Sequence, residues 1–298
     1  MAFEPPERLV RALGESDPWL GQLPTLAKGA VDRLGLEVER VVAPGGRSAL
    51  VLLVRRPDGE AAALKLCPPA AAPGLERAAL EHWDGWGAVR LLSADDADDG
   101  LLLLERLHTE VSLRSLPEAK ALLEAAGTVR RLWVEPPADW QAHGFETVAE
   151  RTARQAGAVR AFGEDPSAAA LVSAALAVRD ELTALPPEVV LLHGNFRQGK
   201  VLAADRTPWL AVGPEPLVGE RAYDLARLAR DRVEDLIASS AGASAARRRV
   251  NKLADSLEVD RERLRGWTLF RAVESAVRAI AAGRRQEGEL SLEFAGWL

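Results

Sequence analysis

The spacing of apolar residues changes from strand-like to mainly helical near Leu107, and this change constrains the fold more than any other feature. Before it, short apolar runs typical of β-strands occupy 36–42, 49–55, 61–66, 88–92 and 100–105. Pro57-Asp58-Gly59 predicts a tight hairpin turn between the second and third runs. After Leu107 the apolar residues recur mainly at helical spacing. The sequence therefore predicts an α+β fold, with a mainly antiparallel sheet followed by a helical half.

Helices are predicted on both sides of this change. Two precede the sheet, at 5–14 and 23–34, and a third is inserted into it, at 74–83. The helices expected after Leu107 cover 116–133, 145–162, 167–184, 220–238, 244–256, 260–283 and 290–297. The acidic run 95–99 predicts a turn between the last two strands. We expect one lobe at 1–107, with five strands, and a second at 108–298.

Composition excludes several classes of function. A chain of 298 residues can bury a substantial core, and its net charge of −6 disfavours binding to nucleic acid or to an anionic membrane. The single cysteine, Cys67, excludes an intramolecular disulfide and suits a reducing compartment. There is no run of about 18 apolar residues that could span a membrane, and the first residues lack a signal-peptide pattern. These features predict a cytoplasmic protein.

Residues 188–213 are the exception within the helical half, because they contain two or three short apolar strands. Leu191-Leu192 leads directly into His193-Gly194, and Val201-Leu202 begins the next apolar run. An apolar strand, His-Gly, a short loop and a second strand form the frame of a phosphotransferase catalytic loop. Phosphoryl transfer in such a loop uses a carboxylate that accepts the proton of the acceptor hydroxyl, together with oxygen ligands for Mg²⁺.

The residues at those positions have different chemistry. Asn195 stands where the carboxylate base is needed, and an amide is a poor base. Lys200 and Gly213 stand at the metal-ligand positions, where one has only a cationic donor and the other has no side chain. Compared with Asp, Asn and Asp, each substitution adds one positive charge. Magnesium is therefore not expected, and an anion or a carboxylate, with Glu76 and Glu215 as candidates, is expected to offset the charge of Lys200.

The first lobe has features of a nucleotide site. Gly45, Gly46 and Ser48 lie between two strands, where glycine lets backbone N–H groups approach phosphates, although such a pair is also common in ordinary turns. Lys65 lies within an apolar strand and is expected to pair with Glu76, with Glu81 as the alternative. A lysine on an edge strand that points to water is the other interpretation. The backbone from Glu105 to Leu107 is expected to contact an adenine edge.

Several stretches together resemble the aminoglycoside and hydroxyurea phosphotransferases, in particular their streptomycin kinase branch. The matching stretches are 44–46, 64–66, 83–92, 102–107, 192–194 and 216–228. The resemblance implies a protein-kinase-like bilobal fold and ATP-dependent phosphorylation of a small-molecule hydroxyl. It places Lys65 and Glu76 at the nucleotide pair, Glu105 to Leu107 at the hinge, Asn195 at the catalytic aspartate, Lys200 and Gly213 at the metal ligands, and Asp224 at a structural aspartate.

Within this frame His193 is expected to hydrogen-bond the loop backbone, and Asp224 to anchor the loop from a helix. The favoured hypothesis is a catalytically impaired homologue that acts in binding or regulation, with ATP, another nucleotide or a small molecule as its ligand. One alternative is an active phosphotransferase in which Lys200 replaces the charge of magnesium. Another is a protein that sequesters a small molecule in the acceptor pocket of the helical lobe.

Overall fold

The computed structural model describes residues 3–92, 100–163, 165–166 and 168–298. The turn predicted at 95–99 lies outside these residues. The chain forms two compact units, one of Met1–Ser115 with Leu202–Gly213 and one of Leu116–Val201 with Pro214–Leu298. These units differ from a division at Leu107, because a later segment of the chain joins the first unit by strand pairing.

The first unit is built on a four-stranded antiparallel sheet with the order β1-β2-β3-β4. Its strands are β1 (Glu37–Val41), β2 (Leu50–Arg55), β3 (Ala61–Leu66) and β4 (Leu101–Glu105), and its helices are α1 (Glu7–Leu13), α2 (Pro18–Leu34) and α3 (Pro73–Trp83). Leu64 and Leu66 of β3 belong to a core shared with residues of α1 and α2. Side chains alternate along a strand, so Lys65 faces the opposite side of the sheet.

The fourth of the predicted strands, 88–92, does not form a continuous strand. Leu91 makes a single bridge with Leu104, whereas Ala88 makes a single bridge with Ala211. The segment therefore divides its hydrogen bonds between two partners and cannot continue a ladder with either of them. The sequence shows its apolar character but not this change of partner.

A second, three-stranded sheet explains why a later segment joins the first unit. It has the order β5-β7-β8 and is formed by β5 (His108–Ser112), β7 (Val201–Ala203) and β8 (Trp209–Ala211). β5 pairs antiparallel with β7. β5 lies in a stretch for which no strand was predicted, and its alternation of exposed and half-buried residues has little apolar signal.

The second unit is mainly helical, and its longest helix, α10, lies at its centre. Its elements are α4 (Glu118–Leu132), α5 (Val148–Phe162), α6 (Ala169–Ala184), β6 (Val190–Leu192), β9 (Leu217–Gly219), α7 (Arg221–Ala229), α8 (Val233–Ile237), α9 (Gly242–Leu257), α10 (Arg261–Ala281) and α11 (Arg285–Ala295). Trp267 and Phe270 of α10 are fully buried. α10 packs on α5, α6, α7, α9 and α11, so the functional loop described below rests on a rigid support.

Two elements of this unit differ from the prediction. The helix predicted at 220–238 is two helices, α7 and α8, because Arg232 adopts a left-handed conformation with φ 54° that interrupts the helical path. The short strand β9, which pairs antiparallel with β6, was not predicted. No helix in the described part of the chain combines the length and the apolar character needed to cross a membrane.

Candidate functional site

In the first unit, the predicted partners Lys65 and Glu76 form an ion pair between β3 and α3. Their side chains are 12% and 5% exposed, so both charges are largely withdrawn from water. Burial opposes the charged ammonium, but the negative charge of Glu76 outweighs it, and the pKa of Lys65 is raised. The Oε1 atom of Glu76 has no hydrogen-bond partner. Lys65 thus remains charged, and Glu76 keeps one unused acceptor.

Of the two glycines between β1 and β2, the local structure requires glycine only at Gly45. Gly45 has φ 68°, and a Cβ placed there would lie 2.9 Å from the carbonyl oxygen of Val42, so this position needs glycine. Gly46 has open space beside it, and both it and Ser48 are exposed. The conformation of the turn is therefore sufficient to explain why residue 45 is a glycine. A role of this hairpin in binding a phosphate stays a prediction.

Glu105, at the end of β4, joins separate segments of the first unit. Its carboxylate accepts hydrogen bonds from Nε and Nη2 of Arg206, both at 2.9 Å, and from the backbone N–H of Arg90 at 2.7 Å. Leu107 is buried. The Glu105 side chain is therefore occupied in holding the 202–213 segment, and the predicted contact with adenine rests on the backbone alone.

In the second unit, Asp224 of α7 holds the beginning of the His193 loop. Its carboxylate accepts hydrogen bonds from the backbone N–H groups of His193, at 3.0 Å, and Gly194, at 2.9 Å, and from Nε1 of Trp133 at 3.4 Å. Burial raises the pKa of Asp224, while the charge of Arg271 and these hydrogen bonds oppose the change. The hydrogen bonds of Asp224 thus hold the loop backbone and the Trp133 side chain in place.

The far end of the loop is held in a similar way. The carboxylate of Asp231 accepts a hydrogen bond from the backbone N–H of Gln198 at 2.7 Å. At the beginning of the loop, Gly194 has φ 74°, and a Cβ there would lie 2.0 Å from the carbonyl oxygen of Glu215. His193 is fully buried, and its Nδ1 accepts a hydrogen bond from the backbone N–H of Asn195 at 3.3 Å. The loop is thus fixed at both ends and close to the 214–217 segment.

The side chains of Asn195 and Lys200 act on one carboxylate, that of Glu215. Nδ2 of Asn195 donates a hydrogen bond to Oε1 of Glu215 at 2.7 Å. Glu215 is an exposed residue, but its carboxylate is partly buried. This burial by itself would raise the pKa of Glu215. The charges of Lys200 and Arg278 and the bond from Asn195 outweigh this effect, so the pKa of Glu215 is lowered. Glu76 and Glu215 were the two carboxylates expected to offset the charge of Lys200. Glu215 is therefore one that interacts with this charge.

Gly213 ends the 202–213 segment of the first unit with φ 59° and offers only backbone atoms. The predicted base and metal positions of the second unit thus hold an amide, an ammonium group and a nearby glutamate. Because the pKa of Glu215 is lowered, its negative charge partly offsets the positive charge of Lys200 beside the loop.

A group of arginines near this loop was not predicted from the sequence. Burial and the charges of Arg230, Arg271, Arg197 and Arg278 lower the pKa of Arg227 on α7 well below its usual range. A signal was present in the sequence, since Asp224 and Arg227 are three residues apart and share one face of a helix. Contributions from the loop and from α10 could not be inferred from that spacing.

Comparison with known sequences identifies relatives of nearly full length. Residues 34–283 match the family described as aminoglycoside/hydroxyurea antibiotic resistance kinase. A streptomycin 6-kinase of Streptomyces glaucescens is 35% identical over 275 residues, which cover 92% of this chain and 88% of that protein. A hydroxyurea phosphotransferase of Kitasatospora aureofaciens is 36% identical over 279 residues, covering 91% and 75%.

Solved structures give the fold. Aminoglycoside phosphotransferase APH(4)-Ia, in a ternary complex with ADP and hygromycin B, aligns with a TM-score of 0.61 at 15% identity, over 90% of this chain and 96% of that chain. Choline kinase LicA of Streptococcus pneumoniae aligns with a TM-score of 0.62 at 12% identity, over 91% and 99%. The fold is that of the protein-kinase-like phosphotransferases, and the chain belongs to the aminoglycoside/hydroxyurea antibiotic resistance kinase family.

Proposed function

We propose that this protein binds a nucleotide and a small molecule, as proteins of similar fold do, but is impaired in magnesium-dependent phosphoryl transfer. The observation that supports this proposal is the arrangement of Asn195 and Lys200 around Glu215 in the catalytic loop. In this arrangement the amide donates a hydrogen bond, and the ammonium charge acts on a carboxylate. Neither side chain is free to perform the role of the aspartate or asparagine that its position implies.

The residues at the implied magnesium positions do not fit this ion. Magnesium requires oxygen ligands in near-octahedral geometry. Lys200 has no acceptor and repels cations, Gly213 has no side chain, and the amide group of Asn195 is already bonded to Glu215. Loss of an acid–base group alone typically lowers the rate about 10²- to 10⁴-fold. The impairment proposed here combines such a loss with the loss of metal ligands.

Nucleotide binding without magnesium is compatible with the remaining charges. Lys65 keeps its charge beside Glu76 in the first unit, as expected for a lysine that contacts phosphates. Lys200 adds a positive charge at a position where the family uses a metal ligand. The complexes of APH(4)-Ia with ADP or AMP-PNP and hygromycin B support the expectation of a nucleotide and a small molecule as ligands.

Calorimetric titration with ATP tests this proposal. We expect ATP to bind in the presence of EDTA, and added magnesium to leave the affinity unchanged or to weaken it by competing for phosphate oxygens. Lys200→Ala should weaken binding, whereas Lys120→Ala, at an exposed position on α4, should not. Binding that requires magnesium, or that is unaffected by Lys200→Ala, would contradict the proposal.

A transfer assay with radiolabelled ATP examines catalysis separately. Streptomycin and hydroxyurea should show no magnesium-stimulated phosphorylation, whereas turnover of about 1–10 s⁻¹, as in ordinary enzymes, would exclude impairment. The triple variant Asn195→Asp, Lys200→Asn, Gly213→Asp should gain magnesium binding. This gain is measured directly by titration with magnesium in the presence of ATP.

A second candidate function is an active phosphotransferase in which Glu215 serves as a displaced base. The observation that favours it is the ionised Glu215 carboxylate, exposed and 2.7 Å from the amide of Asn195. Under this hypothesis any transfer activity should be lost in Glu215→Gln and largely retained in Asn195→Ala. Equal activity of wild type and Glu215→Gln would rule out this role.

A further inference from the structure

The side chain of Arg227 forms no hydrogen bond or ion pair with any residue that the structure describes, which is unusual for a half-buried guanidinium. It lies on α7, about one turn after Asp224, which holds the beginning of the His193 loop, and Asp231, which holds the far end, follows shortly after the end of α7. Its five N–H donors therefore have no acceptor among the residues that the structure describes.

Other arginines surround this group. Burial lowers the pKa of Arg227 most, and the charges of Arg230, Arg271, Arg197 and Arg278 lower it further. No carboxylate is among these main influences. The electrostatic potential at Arg227 is therefore positive, and a negative charge placed there would be favoured by several cations at once.

The neighbouring arginines are mainly engaged elsewhere. Arg271 donates hydrogen bonds to the carbonyl oxygens of Gly194, at 2.8 Å, and Tyr223, at 2.9 Å. Arg230 donates to the hydroxyls of Ser291 and Ser275 at 3.1 and 2.7 Å. These two arginines thus support the structure while their charges remain uncompensated by an ion pair within hydrogen-bonding distance.

The carboxylates of this region are also engaged. Asp224 and Asp231 accept backbone hydrogen bonds of the loop. Glu274 lies 3.4 Å from Arg278, and Glu215 accepts the bond from Asn195. No ion pair with Arg227 therefore forms, and the region has an excess of positive charge.

A second, independent observation concerns Gln198 in the same loop. This residue is fully buried, yet neither the Oε1 nor the Nε2 atom of its side chain has a hydrogen-bond partner. The Nε atom of Arg230 is likewise buried without a hydrogen-bond partner. Buried polar groups are normally hydrogen-bonded, so the unsatisfied amide of Gln198 indicates a place for a polar ligand at this loop.

We propose that Arg227 anchors an oxyanion-binding subsite beside the His193 loop, which takes a carboxylate or phosphate group of the small-molecule ligand. Arg197 and Arg278 contribute positive charge, and Gln198 is the candidate for an additional amide contact. The assignment of this group to the small molecule rests on the proposed function. Polycationic ligands are disfavoured at this position because like charges repel each other.

Titration with inorganic phosphate, in EDTA and at constant ionic strength, tests the subsite. Arg227→Gln removes the charge while keeping a polar side chain, and we expect the dissociation constant for phosphate to rise about tenfold, the usual effect of losing a charge-assisted hydrogen bond. Arg227→Lys should have an intermediate effect. Arg160→Gln, at an exposed position on α5, is the matched control and should bind phosphate like the wild type.

The stability of the variants without phosphate provides a second readout. Because Arg227 is unpaired among like charges, its replacement by Gln should leave the Tm without phosphate unchanged or higher. A lower Tm combined with unchanged phosphate affinity would show that Arg227 has a structural role only. Equal losses of affinity in Arg227→Gln and Arg160→Gln would show general screening and overturn the proposal.

Parallel titrations separate this inference from the proposed function. Arg227→Gln should retain the ATP affinity of the wild type, whereas Lys200→Ala should retain phosphate binding at Arg227 and lose ATP affinity. Phosphate binding that depends on Lys200 and not on Arg227 would overturn the subsite and leave the proposed function intact. Acetate, titrated in the same way, distinguishes a carboxylate ligand from a phosphate ligand by which anion binds more tightly.

Discussion

Each unit of this protein contains a lysine whose charge acts on a glutamate, but the surroundings of the two lysines differ. Lys65 and Glu76 form an almost fully buried ion pair between a strand and a helix. Lys200 is half-buried, and its influence on the exposed Glu215 is shared with Arg278 and with the amide of Asn195. The first arrangement is a closely matched ion pair, whereas the second belongs to a region with more cations than anions.

The predicted site residues of the two units therefore differ in their contacts. In the first unit the residue types of the predicted nucleotide pair are both present and in contact. In the second unit the predicted base and metal positions hold an amide and an ammonium group, while Asp224 and Asp231 hold the loop backbone. The backbone of this loop is therefore held independently of the side chains at its predicted catalytic positions.

The largest expected effect concerns the buried pair. Lys65→Met leaves the carboxylate of Glu76 buried without its partner and should lower the free energy of unfolding by about 3–5 kcal/mol. Lys65→Met combined with Glu76→Leu should recover most of this loss, because no unpaired charge remains. Urea denaturation measures both variants. Lys28→Met, which removes an exposed pair with Asp32, is the control, and a similar loss there would contradict the explanation by burial.

The support of the loop should show a somewhat smaller effect. Asp224→Ala leaves the buried backbone N–H groups of His193 and Gly194 without an acceptor and should lower the free energy of unfolding by about 2–4 kcal/mol. Urea denaturation with Asp180→Ala, at an exposed site on α6, provides the comparison. If both variants cost the same, the hydrogen bonds of Asp224 do not stabilise the loop.

The smallest expected effect concerns Glu215 and depends on pH. Its pKa is lowered in the folded protein, so its contribution to stability is present above the unfolded value of 4.5 and is lost as the pH falls through the lower folded value. Glu215→Gln should therefore be less stable than wild type above about pH 5, and this difference should disappear in more acidic solution. Urea denaturation over this pH range measures it.

The same comparison can be sharpened with Lys200. Lys200→Ala removes one of the charges that lower the pKa of Glu215, so this pKa should rise, as followed by NMR titration of the carboxyl carbon. An unchanged pKa in Lys200→Ala would assign the effect to Arg278 and Asn195 instead.

Local sequence patterns predicted most of the first unit. The strand period placed Lys65 among apolar neighbours, and the glutamate early in the next helix was the natural partner, since few residues separate them. The same patterns failed at 88–92, because that segment alternates between two bridging partners, and at β5, whose residues have little apolar character. Periodicity describes which residues are buried, but it does not describe which strands they meet.

In the second unit, the sequence by itself determined which side chains are the candidates for the base and the metal ligands, because the resemblance to the family predicts those positions. Only the tertiary structure decided what these side chains contact. Glu215 meets Asn195 because Gly194 and the backbone of Glu215 lie against each other, and Arg227 acquires its cationic neighbours from the loop and from α10. Charge interactions depend on separation in space, and residues distant in sequence become neighbours only when the helices pack.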